Sequence, residues 1–164
     1  MRAEAEITES YLRHADMVWR VCLAYLKNPA DAEDALQDTF LRLLRREGAF
    51  RGGEHEKAWL IRTAGHVCKD VLKHPRRRQD SLDAHGELSG GPEPSRAAEG
   101  GALFQAVCAL PDKYKTVVCL YYYEGCTSPE IAGLLRKPQG TVLSLLYSAR
   151  RRLKEILGSD FYET

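Results

Sequence analysis

Apolar residues recur at three- and four-residue steps along most of this chain, and that spacing predicts amphipathic helices rather than strands. In the first half it predicts three helices, over about 11–26, 30–46 and 56–73. Asn28 is a suitable N-cap for the second helix, and Pro75 ends the third. Because no alternation of period two competes anywhere, the predicted fold class is all-α.

The apolar period disappears between residues 79 and 101, where Ser, Gly, Pro, Ala and Glu predominate. Such a composition predicts a flexible linker. Helical spacing resumes at Leu103 and continues to the end of the chain. The sequence therefore predicts two small helical bundles, residues 1–78 and 102–164, joined by the linker 79–101.

The clearest motif lies in the second bundle. Thr127 and Glu130 form a capping box for a short helix, residues 137–140 make a turn, and Thr141 is the candidate N-cap of a second helix. Two short helices around a tight turn are typical of a DNA-reading helix-turn-helix. Spacing alone leaves a plain helical hairpin equally open, because the basic residues near its end also complement the helix dipole.

The outward face of the second helix carries leucines where a DNA reader usually places Lys or Arg. Val142, Leu146 and Leu153 form a core stripe at helical steps. Elimination therefore places Leu143 and Leu145 outward or at the rim. The candidate DNA contacts on this helix and its turn are Gln139, Thr141, Leu143, Ser144, Tyr147, Arg150 and Arg151.

Local charge, rather than overall charge, decides where nucleic acid would bind. The formal net charge is only +1 at pH 7, so affinity for DNA needs segregated cations. Residues 57–78 supply these cations, with Asp70 as the only acidic residue among them. Trp59, at helical spacing, fits the core better than a base-stacking role. With the preceding loop, the candidate contacts are Arg51, Lys57, Arg62, His66, Lys69, Lys73, Arg76, Arg77 and Arg78.

A different surface is predicted on the second helix. Polar residues recur there at three- and four-residue steps on one side and form a compact patch suited to a protein partner. They are Asp34, Gln37, Asp38 and Arg42.

Several classes of function are disfavoured. The five cysteines are odd in number and scattered, with no C-x-x-C pair, so neither a disulfide framework nor a metal site is expected. No nucleophile–base set or phosphate loop is visible, so we expect no enzyme and no cofactor. No apolar run approaches the roughly 20 residues that span a bilayer, and the N-terminus does not read as a signal peptide. We expect no membrane insertion and a cytoplasmic location.

The order of these segments resembles the extracytoplasmic-function (ECF) sigma factors, the small two-domain group of bacterial sigma factors. Residues 31–46 resemble the helix of region two that docks on RNA polymerase, and 57–70 resemble its promoter-melting segment. Residues 110–135 with 140–153 resemble region four. The partners that the resemblance implies are core RNA polymerase, promoter DNA and an anti-sigma factor.

The resemblance also implies roles for the candidate residues. The patch on the second helix would bind the polymerase, and region four would read the upstream promoter element. Region two would capture unpaired bases in the loop 50–56 and along the helix through His66. No covalent chemistry would be required of this chain.

The chain departs from the family at its reading helix. The family usually has basic residues where this chain has Leu143, Leu145 and Ser148, and Asn where it has His66. The upstream element would then be read weakly, or through contacts with thymine methyl groups, or the leucines would meet a protein such as an anti-sigma factor. Two other functions stay open: a helix-turn-helix regulator that acts without polymerase, and a sigma-like interaction protein that no longer engages promoters.

The linker length bears on how the two bundles are used. As a relaxed coil it spans about 25–30 Å, and fully extended roughly 75–85 Å. Two promoter elements about two helical turns apart require roughly 70 Å. We therefore expect a compact free protein and an extended polymerase-bound one.

Overall fold

The computed structural model describes residues 2–74 and 101–158, and secondary structure within these ranges is helical throughout. The all-α prediction is confirmed. We call residues 2–74 the N-terminal module and residues 101–158 the C-terminal module. The predicted linker residues 79–100 and the candidate contacts Arg76, Arg77 and Arg78 lie outside the described residues, so the proposed bundle boundaries stay a prediction.

Three helices form the N-terminal module: α1 (Glu4–Leu26), α2 (Pro29–Arg45) and α3 (Gly53–Leu72). Asn28 caps α2 as predicted, because its side-chain oxygen accepts the N–H of Asp31 at 3.1 Å. The third helix begins three residues earlier than predicted, within the glycine-rich loop. Both α2 and α3 pack against α1, which lies at the centre of the module.

Four helices form the C-terminal module: α4 (Ala102–Ala109), α5 (Asp112–Tyr122), α6 (Ser128–Leu135) and α7 (Gln139–Leu157). The prediction that Thr141 caps the last helix was wrong. Pro138 holds the N-cap position with an extended ψ of 145°, and the N–H of Thr141 already bonds to the Pro138 carbonyl at 3.0 Å. The proline ring fixes a backbone angle suited to this position, so the helix starts without a side-chain cap.

The two modules share one hydrophobic core. Trp19 on α1 is buried, and α4 and α5 pack on the same helix. Polar contacts also join the modules: the Arg20 guanidinium meets the Glu124 carboxylate at 2.9 Å, and the Tyr25 and Thr116 hydroxyls lie 3.1 Å apart. The modules therefore lie side by side, as expected for the unbound chain.

Candidate nucleic-acid and protein interfaces

The helix-turn-helix is formed by α6 and α7, as predicted. Thr127 starts α6 with a capping box: the Glu130 N–H donates to Thr127 Oγ1 at 3.3 Å, and the Thr127 N–H donates to Glu130 Oε1 at 2.8 Å. These hydrogen bonds lower the pKa of Glu130. Arg136 ends α6 in the left-handed conformation, with φ 56°, and the chain turns directly into α7.

The exposed face of α7 mixes polar and apolar groups. Leu143 and Tyr147 lie one turn apart and are 51% and 64% exposed. Gln139 helps to fix the turn, because its side-chain amide donates to Ser128 Oγ at 3.2 Å. The other predicted contacts that are exposed on this helix are Thr141, Ser144 and Arg151. The face offers hydrogen-bonding groups at its start and a small apolar patch, Leu143 with Tyr147, in its middle.

The arginines that follow this face differ in their surroundings. Arg150 is half-buried, and its guanidinium carbon lies 4.8 Å from the centre of the Tyr121 ring, which is a cation–π distance. The guanidinium of Arg152 lies 5.4 Å from the centre of the Tyr114 ring. Arg150 therefore packs on the module itself, whereas Arg151 is exposed and suited to a phosphate contact.

The two leucines of α7 have different environments. Leu143 points to solvent, as predicted. Leu145 is half-buried, packs on the core, and lines a cleft shared with Ile61 of α3. The apolar character of Leu145 is thus explained by its packing on the core, while that of Leu143 is not.

Two of the predicted DNA-binding cations of α3 are engaged by the C-terminal module. Arg62 is half-buried and donates to the carbonyl of Leu134 at 2.7 Å, satisfying one of the last carbonyls of α6. Burial, with the charge of Arg136, lowers the pKa of Arg62. Lys57 Nζ lies 3.9 Å from the Cys126 thiol. Both side chains contact protein in this arrangement.

The remaining described cations of α3 point away from this contact or toward the cleft. Lys69 and His66 are exposed and line the cleft between the modules. Lys73 is exposed at the end of α3. The structure thus brings His66 and Lys69 together with Thr141 of the helix-turn-helix around one cavity, which sequence spacing did not predict.

An arginine–aromatic cluster holds the loop between α2 and α3. The guanidinium carbons of Arg46 and Arg2 lie 4.1 Å and 4.8 Å from the centre of the Phe50 ring. Arg2 also donates to the carbonyls of Arg46 and Gly48 at 2.6 Å and 2.7 Å. Trp59 is half-buried and packs on the core, with its ring centre 6.1 Å from that of Phe50. Sequence spacing missed Arg2 and Arg46 because their contacts join the N-terminus to the loop, and spacing within one helix does not show such contacts.

The loop lies in a positive field that both modules supply. The Arg51 N–H donates to His55 Nδ1 at 3.0 Å. Desolvation, followed by the charges of Arg51, Arg46, Arg136 and Arg62, lowers the pKa of His55. A cavity of about 390 Å³ beside the loop is lined by Arg51, His55 and Arg62 from one module and by Arg136 from the other. Two carboxylates, Glu54 and Glu130, also line the cavity, so three arginines face a site of mixed charge beside the loop predicted to bind unpaired bases.

The predicted protein-binding patch on α2 is accessible. Asp34 and Gln37 are exposed, and the half-buried Asp38 carboxylate accepts a hydrogen bond from the Arg42 guanidinium at 3.4 Å. Leu41 is also exposed on this helix and was not predicted. The patch therefore combines two carboxylates with an apolar neighbour, and the two modules pack against each other without covering it.

The five cysteines have free thiols, and all but Cys108 are buried. Among the described residues, no three His, Cys, Asp or Glu side chains are grouped so as to hold a metal ion. Within residues 2–74 and 101–158, no helix combines the length and apolar character needed to cross a membrane.

Comparison with known families gives two matches in the same order as the modules. The family model for Sigma-70 region 2 matches residues 11–79, and that for Sigma-70, region 4 matches residues 101–153. The ECF RNA polymerase sigma factor SigL of Mycobacterium tuberculosis is 30% identical over 160 residues, which cover 93% of this chain and 89% of SigL.

The ECF RNA polymerase sigma factor BldN of Streptomyces coelicolor is 33% identical over 158 residues, covering 92% of this chain. The chain spans 60% of the length of BldN. Among solved structures, the sigma factor RpoE in complex with the anti-sigma factor NepR from Bartonella quintana matches with a TM-score of 0.66 and 20% identity. That match covers 95% of this chain and 99% of RpoE, and it shows a shared fold.

Proposed function

This chain belongs to the extracytoplasmic-function sigma factors, and we propose that it directs core RNA polymerase to promoters and so acts in transcription initiation. It acts in the cytoplasm and contributes binding rather than covalent chemistry. The observation that carries the proposal is the presence, in one chain, of an exposed carboxylate patch on α2 and a helix-turn-helix in α6 and α7. A DNA-binding regulator that acts alone would have no use for the first of these surfaces.

The α2 patch is the proposed polymerase contact. Asp34 and Asp38 give it negative charge, and Gln37 and Arg42 lie between and beside them at helical spacing. Charge of this kind favours docking on a basic surface and speeds encounter with it. Leu41 adds the apolar contact that such an interface needs at its centre.

The proposed DNA contacts belong to both modules. The start of α7 offers Gln139, Thr141 and Ser144 to base edges, and Arg151 to a phosphate. In the N-terminal module, the loop at Arg51 and the α3 side chains from Lys57 to Lys73 take the unpaired strand. In the closed arrangement described here, Arg62 and Lys57 contact the C-terminal module instead. The modules must therefore separate before these two side chains reach DNA.

One observation favours a second role for α7. Leu143 and Tyr147 form an exposed apolar pair on the face that would enter the major groove. An apolar pair suits contact with a protein such as an anti-sigma factor at least as well as contact with thymine methyl groups. A sigma-like protein whose promoter reading is weak, and whose α7 serves as a protein-binding helix, is the alternative function.

Initiation from a genomic fragment library tests the proposal. Core RNA polymerase is mixed with the purified chain, and transcript 5′ ends are sequenced. We expect start sites clustered behind a shared pair of upstream and downstream elements, and none with core enzyme alone. Retention of duplex DNA without polymerase binding would instead identify a plain regulator. Polymerase binding without any initiation would identify the interaction protein.

A further inference from the structure

A cavity between the two modules has the features of a ligand site. It is a partly open cleft with a volume of about 520 Å³, within the range typical of small-molecule sites. One wall is α3, with Arg62, His66 and Lys69, and the other is built by the C-terminal module. The cavity exists because the modules lie side by side, and neither module alone encloses it.

The charged groups that line the cavity are mostly cations. They are Arg62, Lys69, Lys113 and Lys137, against Asp112 as the one acid among the lining residues. Asp112 is already neutralised, because its Oδ1 lies 3.1 Å from Nζ of Lys115, a side chain that is only 1% exposed. Four cations around this cleft, three of them exposed, favour a multiply charged anion.

Two helices also begin at this cavity. Lys113 lies in the first turn of α5 and Thr141 in the first turn of α7, and both line the cavity. Each helix has a proline at its N-cap, Pro111 and Pro138, so no side chain caps either start. The N–H of Thr141 already bonds to the Pro138 carbonyl, so the contribution of these helix starts is the positive end of each helix dipole, which adds to the field of the lysines.

The rest of the lining is apolar and suits an organic group. Ile61, Val117, Leu135 and Leu145 supply it, and the Thr116 and Thr141 hydroxyls are nearby. We propose that this cleft binds a small organic polyanion of the nucleoside diphosphate class, with its adjacent phosphates at Lys113, Lys137 and the helix starts and its base on the apolar wall. A DNA duplex does not fit inside a cleft of this volume.

Such a ligand would hold the protein closed. It binds both walls at once, so separation of the modules destroys its site. At ten times its Kd, the ligand raises the ratio of closed to open protein about 11-fold. The proposal that the ligand binds depends only on the cavity. The further expectation that the ligand reduces initiation depends on the proposed sigma function.

Titration calorimetry of the full chain without polymerase tests the site, using ADP as the probe. We expect saturable one-to-one binding and at least a tenfold weaker Kd for the double variant Lys113→Ala/Lys137→Ala. The matched control, Arg45→Ala/Lys154→Ala, removes the same charge from exposed positions that do not line the cavity, and it should bind as the parent does. Circular dichroism melts verify that both variants are folded.

Three outcomes would overturn the assignment. They are absence of saturable ADP binding, equal binding by the double variant, and equal binding of adenosine, which lacks the phosphates. Pyrophosphate that binds as tightly as ADP would show that the nucleoside adds nothing to the affinity, which would overturn the nucleoside part of the assignment. Hydrogen exchange supplies a separate reading, because ADP should slow exchange in α3 and α6 of the parent and leave the double variant unchanged. Failure of the initiation assay would leave these results untouched.

Discussion

The outer face of α2 and the cationic side of α3 belong to one small module, yet they differ in accessibility when the two modules lie side by side. Asp34 and Gln37 on α2 are exposed. Lys57 and Arg62 on α3 contact the C-terminal module, and Arg62 bonds to the end of α6. One proposed interface is open in the free chain, and the other is partly occupied by the chain itself.

This difference gives the proposed function an order of events. The α2 patch can meet the polymerase while the modules are still closed. The strand-binding cations become fully available only after α6 leaves α3. Polymerase binding that favours the extended arrangement would then expose the DNA-binding groups, as a ligand shifts a population toward the state it prefers.

Reversing a charge on the open face should have the largest effect. Asp34→Lys places a cation opposite the basic surface proposed for the polymerase, where like charges cost several kcal/mol. We expect core polymerase binding to weaken by about a hundredfold. Equilibrium binding of labelled protein to core enzyme measures this.

The control for that variant is Glu9→Lys, which makes the same charge change on an exposed part of α1. It should bind polymerase like the parent, and both variants should keep the parental melting temperature within about 2 °C, since both sites are at the surface. Equal loss of binding in the two variants would mean that net charge, rather than the α2 patch, governs docking.

Opening the closed form should have the next largest effect. Arg20 and Glu124 meet at 2.9 Å across the module interface and are both mostly buried. Arg20→Glu puts two carboxylates together and loses a charged hydrogen bond, a change of roughly 2 kcal/mol or about 30-fold in the closed-to-open ratio. Small-angle scattering should show a larger radius of gyration, and single-stranded promoter DNA should bind more tightly.

The swap Arg20→Glu/Glu124→Arg is the matched control for the opened form. It restores opposite charges at the same contact, so the radius and the DNA affinity should return most of the way to parental values. A single variant that stays compact would show that apolar packing between the modules, and not this ion pair, decides the closed state.

The sequence predicted the helices, the exposed α2 patch and the helix-turn-helix because each rests on spacing within one element. It did not predict that Arg62 would bond to Leu134, because that contact joins residues from different modules. Tertiary packing also separates Leu143 from Leu145: both look outward by elimination, but Leu145 packs on the core and lines the cleft between the modules. The N-cap of α7 was mispredicted because the prediction looked for a residue whose side chain can cap a helix, which Thr141 has. The ring of Pro138 instead fixes the backbone at an earlier position, and the helix starts there without a side-chain cap.

A charge added to the exposed face of α7 should have a smaller effect. Leu143→Lys replaces an exposed side chain and offers one new phosphate contact. We expect several-fold tighter binding to upstream duplex DNA, and a salt dependence steeper by about one unit. Fluorescence anisotropy at two salt concentrations measures both.

Leu12→Lys is the control, because Leu12 is 80% exposed on α1 and the change in charge is the same. It should leave duplex binding and its salt slope unchanged. Weaker duplex binding by Leu143→Lys would support an apolar role for Leu143, with thymine methyl groups or a protein as its partner. Leu145→Arg is not expected to tighten duplex binding in the same way, since it places a cation at a half-buried position that packs on the core and lines the cleft.

The smallest effect is expected from a change of pH. It tests a contact of α3 within the N-terminal module, separately from the contacts of α3 with the C-terminal module. His14 on α1 is buried, with Nε2 3.6 Å from Glu56 Oε1 of α3, and Arg13 and Lys57 are near. Burial lowers the pKa of His14 despite the opposing charge of Glu56. The unfolded chain therefore binds more protons, so stability falls as pH drops through about 6.5. Between pH 7.5 and 5.5 we expect the melting temperature of the parent to fall roughly 2–4 °C more than that of His14→Gln.

The exposed His66→Gln variant is the comparison for this experiment and should keep the parental pH response. The radius of gyration should stay constant over the same pH range, because the His14–Glu56 contact lies entirely within the N-terminal module. An increase in radius at pH 5.5 that His14→Gln abolishes would contradict this separation. It would mean that protonation of His14 weakens the contact between α3 and α6. The covering of the α3 cations would then depend on the N-terminal module as well as on the C-terminal module.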